Sequence, residues 1–464
     1  MEYDNSKLGT ENVKTLLHRL AIPAIISLMV AKLYNVIDTV FLGKTIGNSA
    51  IGALTIALPI QTLMVAVAVM IAAGSSAASA RAFGANNEEK AQKIAGNGII
   101  TCIIISICMT GVIYVFLDKI LMFLGNNEEL LPFAKEYMSI VLFGGILNVF
   151  TIVLPELITS SGNSRISMKA TIIGALCNIV LDFVFVIVFP YGIKGAAVAT
   201  VISQALSSAY AIKQFFSAKS VFKFKLKYYR MQFSIIKEIV VTGISAFIID
   251  MSDALMVMIL NKVIGHLNGT EGIVIVGVIT KVYLFMDIAI IGITTGMQPI
   301  TSYNYGALRF NRLANVLKYA LKLTLILASA LWLLQMIFAE NIVSLFLSGP
   351  QSLIKESAGI LRMVLLIYPL NSIYFTSTYF YQSIGKSKKA ISFSIMKQIF
   401  IFCPLVSILG YGTNIGFQNI WIAFPITDII VSLVSLIYLK RSLNILSTKK
   451  ITDKAKRELQ YSNL

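Results

Sequence analysis

Charge is scarce in this chain. Asp, Glu, Lys and Arg make up 13% of its 464 residues, apolar side chains make up 57%, and the mean hydropathy is +0.80. A water-soluble domain of this length could not carry that composition without exposing large apolar patches, so soluble folds are excluded. Histidine is almost missing. His18 and His266 stand at the edges of apolar runs, which removes the His-based ligand spacings of metalloenzymes. Cys102, Cys108, Cys177 and Cys403 all lie inside apolar runs, as small hydrophobes do, and form no disulfide or zinc framework. No glycine loop has phosphate-binding spacing. The first apolar run is too long for a cleaved signal peptide and lacks a small-residue cleavage site.

What is present is a succession of long apolar runs. A bilayer core of ~30 Å needs about 20 helical residues to cross it. Cut at charged or Gly/Pro/Asn-rich breaks, the runs number twelve, at residues 16–42, 50–79, 94–117, 135–157, 168–189, 195–216, 238–264, 273–300, 316–338, 357–383, 391–410 and 419–439. The expected fold class is an all-α polytopic membrane protein.

Acids are fewer than bases, 22 against 39, which gives a net charge of +17. That excess would suit nucleic acid, but it is explained by topology if the bases collect on one side of the membrane. With the N-terminus inside, the inner segments take most of them. Lys44, Lys119, Lys135, Lys194, Lys262 and Lys355 fall outside, and Lys32, Lys281 and Arg362 fall within spans. An even number of spans returns the C-terminus inside, to the cluster Lys440, Arg441, Lys449, Lys450, Lys454, Lys456 and Arg457. Both termini are therefore expected to be cytoplasmic. The longest inner connector carries Lys213, Lys219, Lys223, Lys225, Lys227, Arg230 and Lys237, and reads as an anchor on anionic membrane lipids, with no nucleic-acid partner.

That connector divides two copies of one pattern. Ala82-Phe83-Gly84-Ala85 returns as Asn304-Tyr305-Gly306-Ala307, and Ser161-Gly162-Asn163-Ser164-Arg165 returns as Ile384-Gly385-Lys386-Ser387-Lys388. Gly84 to Gly162 is 78 residues and Gly306 to Gly385 is 79, so both turns keep register across an offset of 222 or 223. Gly84 and Gly306 are expected to permit tight inner turns. Repeated hydrophobic halves are how many transporters build a site between two bundles. The expected organisation is an N-terminal six-helix lobe (1–216), a basic cytoplasmic linker (217–237), a C-terminal six-helix lobe (238–440) and a basic cytoplasmic tail (441–464).

A charge at the bilayer centre costs at least ~2.5–3.5 kcal/mol, so intramembrane acids are functional candidates. They are Asp38, Glu156, Asp182, Asp250, Asp253, Asp287 and Asp428. Asn178 and Asp182 share one face of span five at i, i+4, and Ala196 and Thr200 share one face of span six. At 1.5 Å per residue Asp182 lies ~21 Å above the inner entry of its helix and Thr200 ~22 Å above the same face, so the two pairs meet at one level. A carboxylate, an amide oxygen, a hydroxyl and a backbone carbonyl at a small residue are hard oxygen ligands suited to a small cation such as sodium. The alternative is polar glue between helices. Asp38, ~25 Å up span one, comes to nearly the same level with Tyr34 one turn below, unless it caps the outer helix end near Gly43. Glu156 follows Pro155 at the inner rim of span four, as a substrate-entry group or as a solvated helix end. In the second half Asp250 and Asp253 are placed to pair with Lys281. Asp287 has no assigned role, and Asp428 has a weak case as a cavity acid.

Twelve spans in two halves, Pro23 in span one, the Gly84 and Gly306 turns, and the Ser-Gly-Asn and Ile-Gly-Lys turns together resemble the multidrug and toxic compound extrusion (MATE) family, over roughly residues 14–440. The likeness is greatest to the DinF- and MepA-like branch. It implies two pseudo-symmetric six-helix bundles around a V-shaped central cavity, not an enzyme and without a cofactor. It also implies export of amphipathic, often cationic, organic compounds by alternating access, in exchange for inward proton or sodium flow. By the same resemblance Asn178, Asp182, Ala196 and Thr200 form a cation or proton site, Asp38 takes part in proton coupling, Tyr34 lines the cavity and Pro23 lets the helix bend. Asp253 matches the acid of the NorM-like branch, but that branch expects a second acid on span ten, where this chain offers only Arg362. Met64 and Met256 would give flat apolar cations a soft lining. The chain is expected in the bacterial cytoplasmic membrane, as a monomer. Two other readings stay open: a flippase for lipids or lipid-linked oligosaccharides, and, more distantly, a polytopic membrane enzyme.

Overall fold

A computed structural model describes residues 5–45, 48–124, 130–347, 350–412 and 416–462. The side chains of Gly43, Lys44, Lys449, Lys450, Lys454, Lys456 and Arg457 lie outside the described ones. Ten helices are long and apolar enough to cross a bilayer: Val13–Asp38, Gly52–Gly84, Glu88–Val115, Ser164–Val188, Gly192–Phe215, Phe233–Gly269, Glu271–Gly306, Phe310–Ser344, Ser387–Tyr411 and Phe417–Leu446. Two bent pairs, Leu131–Phe143 with Gly145–Ser160 and Gln351–Val364 with Tyr368–Ser383, stand where spans four and ten are expected, and counting each as one span gives twelve among the described residues. Each expected run falls on one of these segments to within a few residues. The structure adds the bends, 54° in span four and 41° in span ten. Span four turns at Gly144, which lies against span six, where a Cβ would come within 2.9 Å of Val201 and 3.1 Å of Gln204.

The repeated turns have the same backbone in both copies, but the glycines do not all do what their positions suggest. Gly84 and Gly306 are the last helical residues of spans two and eight, and the left-handed residues are Asn86 (φ 56°) and Leu308 (φ 55°). The two turns close identically, Asn87 N–H to Ala82 O and Arg309 N–H to Asn304 O, each at 2.9 Å. At the second pair the glycines are themselves left-handed, Gly162 at φ 91° and Gly385 at φ 74°. Only glycine takes that conformation without steric cost.

By their contacts the described residues divide into two compact units. One holds residues 1–10 and Ile22–Phe247, the other Glu11–Ala21 and Ile248–Leu464. The units are therefore not the two sequence halves, and the reason is repeated at an offset of 222. In the first unit Gly74 of span two and Gly243 of span seven bring their backbones so close that a methyl on either would run into a backbone carbonyl of the other helix. In the second, Gly296 of span eight lies against Ala21 at the start of span one, where a Cβ would sit 2.7 Å from the Ala21 Cα. Arg19 pairs with Glu11, Arg312 donates to the Glu11 carbonyl, and His18 Nε2 bonds the Tyr319 hydroxyl at 2.8 Å, so the beginning of span one is fixed in the second unit.

The turns and the glycine crossing each generate a prediction. Leu308 is exposed and left-handed at a cost of about 1 kcal/mol, which asparagine tolerates better. Leu308→Asn is expected to raise the thermal unfolding midpoint in detergent, whereas Asn86→Leu lowers it. Gly243→Ala is expected to destabilise by about 1–3 kcal/mol, the usual range for overpacking, read in the same unfolding assay.

Candidate functional site

In the first unit, spans five and six pack closely enough to share polar groups. Ser207 Oγ donates to Ala170 O at 2.8 Å, and Gly195 leaves no room for a Cβ beside Phe185 O, 2.6 Å away. Asp182 ends the regular helix of span five, and a π-helical turn, Phe183–Val188, follows it. Single π turns inside α-helices occur frequently at functional positions. Asp182 is 0% exposed, Asn178 and Ala196 are buried, and Thr200 is half-buried. Both carboxylate oxygens of Asp182 and both amide atoms of Asn178 are buried without a hydrogen-bond partner among the described residues.

Span one supplies the second acid. Asp38 is inside the helix, which runs on to Thr45, so it does not cap the outer end as one reading of the sequence allowed. Its Oδ1 is likewise buried and without a partner. Asp38 and Asp182 lie near enough to act on each other electrostatically. Two residues that the sequence reading did not single out complete the surroundings. The buried Tyr137 hydroxyl accepts from Gln61 Nε2 at 3.2 Å and interacts with Asp38, Tyr34 and Thr200. Tyr137 follows Glu136 in an ordinary apolar run, and nothing in its spacing marks it.

A buried carboxylate without a donor is costly unless it is protonated or binds a cation. Asp38, Asp182 and Asn178 offer four unpartnered oxygens, and the Thr200 hydroxyl is engaged with Tyr137. Hard oxygen donors of this kind fit sodium as well as a proton. Among the described residues no group of three or more His, Cys, Asp or Glu is placed to hold a metal ion, so a site built on such side chains alone does not arise here.

The expected cavity residues separate. Glu156 is half-buried, and its Oε1 accepts from Ser76 Oγ at 3.3 Å, which ties span four to span two. Met64 lines a small pocket with Ala68, Ser106, Met109, Gly145, Asn148 and Val149, inside the helices of the first unit. Tyr34 is half-buried in the same unit, and Met256 is half-buried in the second.

In the second unit the expected pairing with Lys281 gives way to another lysine. Lys281 is exposed, and Asp253 accepts from Gln398 Nε2 at 2.6 Å. Among the described residues the buried cation is Lys397, six residues beyond the start expected for span eleven. Its ammonium lies 3.2 Å from Asp428 Oδ1, donates to Asn371 Oδ1 at 2.8 Å, and sits 4.6 Å from the Tyr374 ring centroid. Asn371 Nδ2 donates to Asp428 Oδ2 at 2.6 Å and to the Tyr283 hydroxyl at 3.0 Å, and the Tyr368 hydroxyl donates to Asp287 at 2.7 Å. Asp287 and Asp428 thus acquire partners that the sequence did not assign. Arg362 donates to the Met336 carbonyl at 3.2 Å.

A family model described as MatE matches this chain twice, over residues 23–184 and 246–406, once in each copy of the repeat. The multidrug export protein MepA of Staphylococcus aureus (strain bovine RF122 / ET3-1) is 22% identical over 397 residues, which covers 86% of this chain and 87% of MepA. Among solved structures, a MATE protein in complex with MaL6 superposes with a TM-score of 0.91 at 23% identity, covering 96% of this chain and 99% of that one. A transporter of the MOP superfamily from Pyrococcus furiosus, whose binding pocket is described as having reversed polarity, superposes with a TM-score of 0.90 at 24% identity, covering 96% and 98%. These likenesses establish a shared fold.

The Lys397 network is open to a double-mutant test. Lys397→Met leaves Asp428 buried and uncompensated, which is expected to cost about 3–5 kcal/mol, and adding Asp428→Asn is expected to recover most of that loss. Thermal unfolding of the purified variants in detergent is the measurement.

Proposed function

We propose that this chain, which belongs to the multidrug and toxic compound extrusion family, exports small amphipathic organic cations in exchange for an inward-moving proton or sodium ion. Membership in the family makes it a multi-pass membrane transporter and not an enzyme. The observation that carries the exchange reading is the unsatisfied polar cluster of the first unit. Asp182 and Asn178 are buried and Asp38 is half-buried, with buried oxygens that no described residue bonds, whereas Asp428 and Asp287 of the second unit have hydrogen-bond partners.

In this reading Asp182 and Asp38 take up the coupling ion. Asn178, Thr200 and the Ala196 carbonyl complete its oxygen shell when the ion is sodium. When the ion is a proton, the carboxylates carry it and Tyr137 and Thr200 supply hydrogen bonds. Binding relieves the desolvation cost of a bare carboxylate in one conformation more than in the other, and that difference is what couples the ion gradient to alternating access. One elementary charge moving through 100 mV contributes about 2.3 kcal/mol, enough to bias a two-state equilibrium by roughly 50-fold. Tyr34, Met64, Glu156, Met256 and Asp253 are the residues proposed to meet substrate along its path. Both termini are cytoplasmic in this scheme, the membrane is the bacterial cytoplasmic membrane, and the monomer is the working unit.

Transport of ethidium into vesicles holding the purified protein tests the reading, with proton and sodium gradients imposed separately. One of the two gradients is expected to drive uptake, and Asp182→Asn is expected to abolish gradient-driven uptake while the variant stays folded. Uptake in Asp182→Asn equal to the parent would remove this site from the mechanism.

A further inference from the structure

The connector between spans six and seven is bound along its length to the first unit. Gln92, buried near the inner end of span three, donates from Nε2 to Val221 O at 2.6 Å and accepts at Oε1 from the Lys223 N–H at 2.9 Å. Asn97, one and a half turns further along, donates to Arg230 O at 3.1 Å and Tyr228 O at 3.4 Å, and accepts from the Gln232 N–H at 2.7 Å. Between them Gly96 lets the Tyr228 carbonyl approach where any Cβ would collide. Phe222 packs between the rings of Phe83 and Phe215, with centroids 5.5 and 5.0 Å away. Two side chains, Phe222 and Tyr228, are thereby buried.

The opposite face is unusual for a water-exposed loop. Phe224 is 61% exposed, Leu226 79%, Met231 53% and Phe233 81%. Interleaved with them are the exposed bases Lys223, Lys225, Lys227, Arg230 and Lys237, and no acid occurs between Lys213 and Lys237. Lys227 is engaged by Glu89 at 3.6 Å and by the Tyr228 ring at 5.0 Å. Both ends of the connector run directly into membrane spans, so this face is held at headgroup level. Large apolar side chains beside basic ones are the composition that lies in a membrane interface, with rings in the acyl boundary and ammonium groups on lipid phosphates.

We propose that the connector is a built anionic-lipid surface, on which Lys223, Lys225 and Arg230 bind phospholipid headgroups while Phe224, Leu226 and Phe233 insert beside them, and that this docking sets the transport rate. The reasoning depends on the membrane-transporter reading above but not on which ion is coupled. Charge complementarity selects the occupant, since a zwitterionic surface offers these bases no net attraction. The Gln92 and Asn97 clasp then passes the docking to span three through backbone bonds that a flexible tether would lack.

The test compares the parent with the triple variant Lys223→Gln, Lys225→Gln, Arg230→Gln, and with Phe224→Ser, Leu226→Ser, in vesicles of phosphatidylcholine alone or mixed with phosphatidylglycerol. Phosphatidylglycerol retained on the purified protein is counted by native mass spectrometry, independently of transport. The parent is expected to retain more phosphatidylglycerol than the triple variant and to transport ethidium several-fold faster in the mixed vesicles. The triple variant is expected to run at the parent's phosphatidylcholine rate in both. Equal lipid retention by parent and variant would overturn the surface. Lost retention with an unchanged lipid response would overturn its control of rate. A parent inactive in every vesicle that still retains the lipid would count against the transport reading and leave the surface standing.

Discussion

The cost of leaving a charge bare in a dry interior is the constraint on which the rest of this protein depends. The second unit meets it by internal pairing. Lys397 faces Asp428, Asn371 bridges them, Tyr368 donates to Asp287 and Gln398 donates to Asp253. In the first unit Asp38, Asp182 and Asn178 keep unsatisfied atoms. The acids Asp253, Asp287 and Asp428 of the second unit thus have side-chain partners, while Asp38 and Asp182 of the first keep carboxylate oxygens without one among the described residues. It is the unpartnered carboxylates that give the proposed ion site its weight, since a neutral polar atom without a partner, such as Gln398 Oε1, occurs among the described residues of the second unit as well.

The frame that carries both units is repeated more faithfully than their chemistry. Gly74 and Gly296 are 222 residues apart and each brings a helix against the first helix of the other sequence half. In consequence Glu11–Ala21 packs with the second unit and the start of span seven packs with the first. Spans one and seven each belong to both units along their length. Asp38 stands on the later part of span one, whose beginning is held by Glu11 and His18.

Much of this could be read from the chain alone, because span length and turn register are local properties. Twelve apolar runs appear where the candidate spans lie, and Asn178, Asp182 and Ala196 are buried on the helices expected for them. The features that escaped depend on neighbours. The bend falls at Gly144, which lies close to Val201 and Gln204 of span six, neighbours that no local pattern announces. The turns after Gly84 and Gly306 place the left-handed residue two positions later, at Asn86 and Leu308, because the helices run to the glycines before they stop. Tyr137 and Gln61 join the site across 76 residues of sequence. Lys397 stands out by no spacing or motif, and its packing against Tyr374, Asn371 and Asp428 shows how deep it lies.

The two copies also use one backbone device in different registers. Span five widens into a π turn at Phe183–Val188, immediately after Asp182, and span eleven does so at Met396–Phe402, around Lys397 and Gln398. At an offset of 223 the counterpart of Asp182 is Leu405, and the counterpart of Lys397 is Gly174, which packs against Ser207. A π turn inserts a residue and so redirects the side chains around it relative to a regular helix. In span eleven this sends adjacent residues to acids on two different helices, Lys397 to Asp428 of span twelve and Gln398 to Asp253 of span seven. In span five the turn falls after the acid, so Asp182 stays on the regular face it shares with Asn178. The closed network of span eleven and the open acid of span five thus differ both in the residues present, Lys397 against Gly174 and Leu405 against Asp182, and in where the π turn falls.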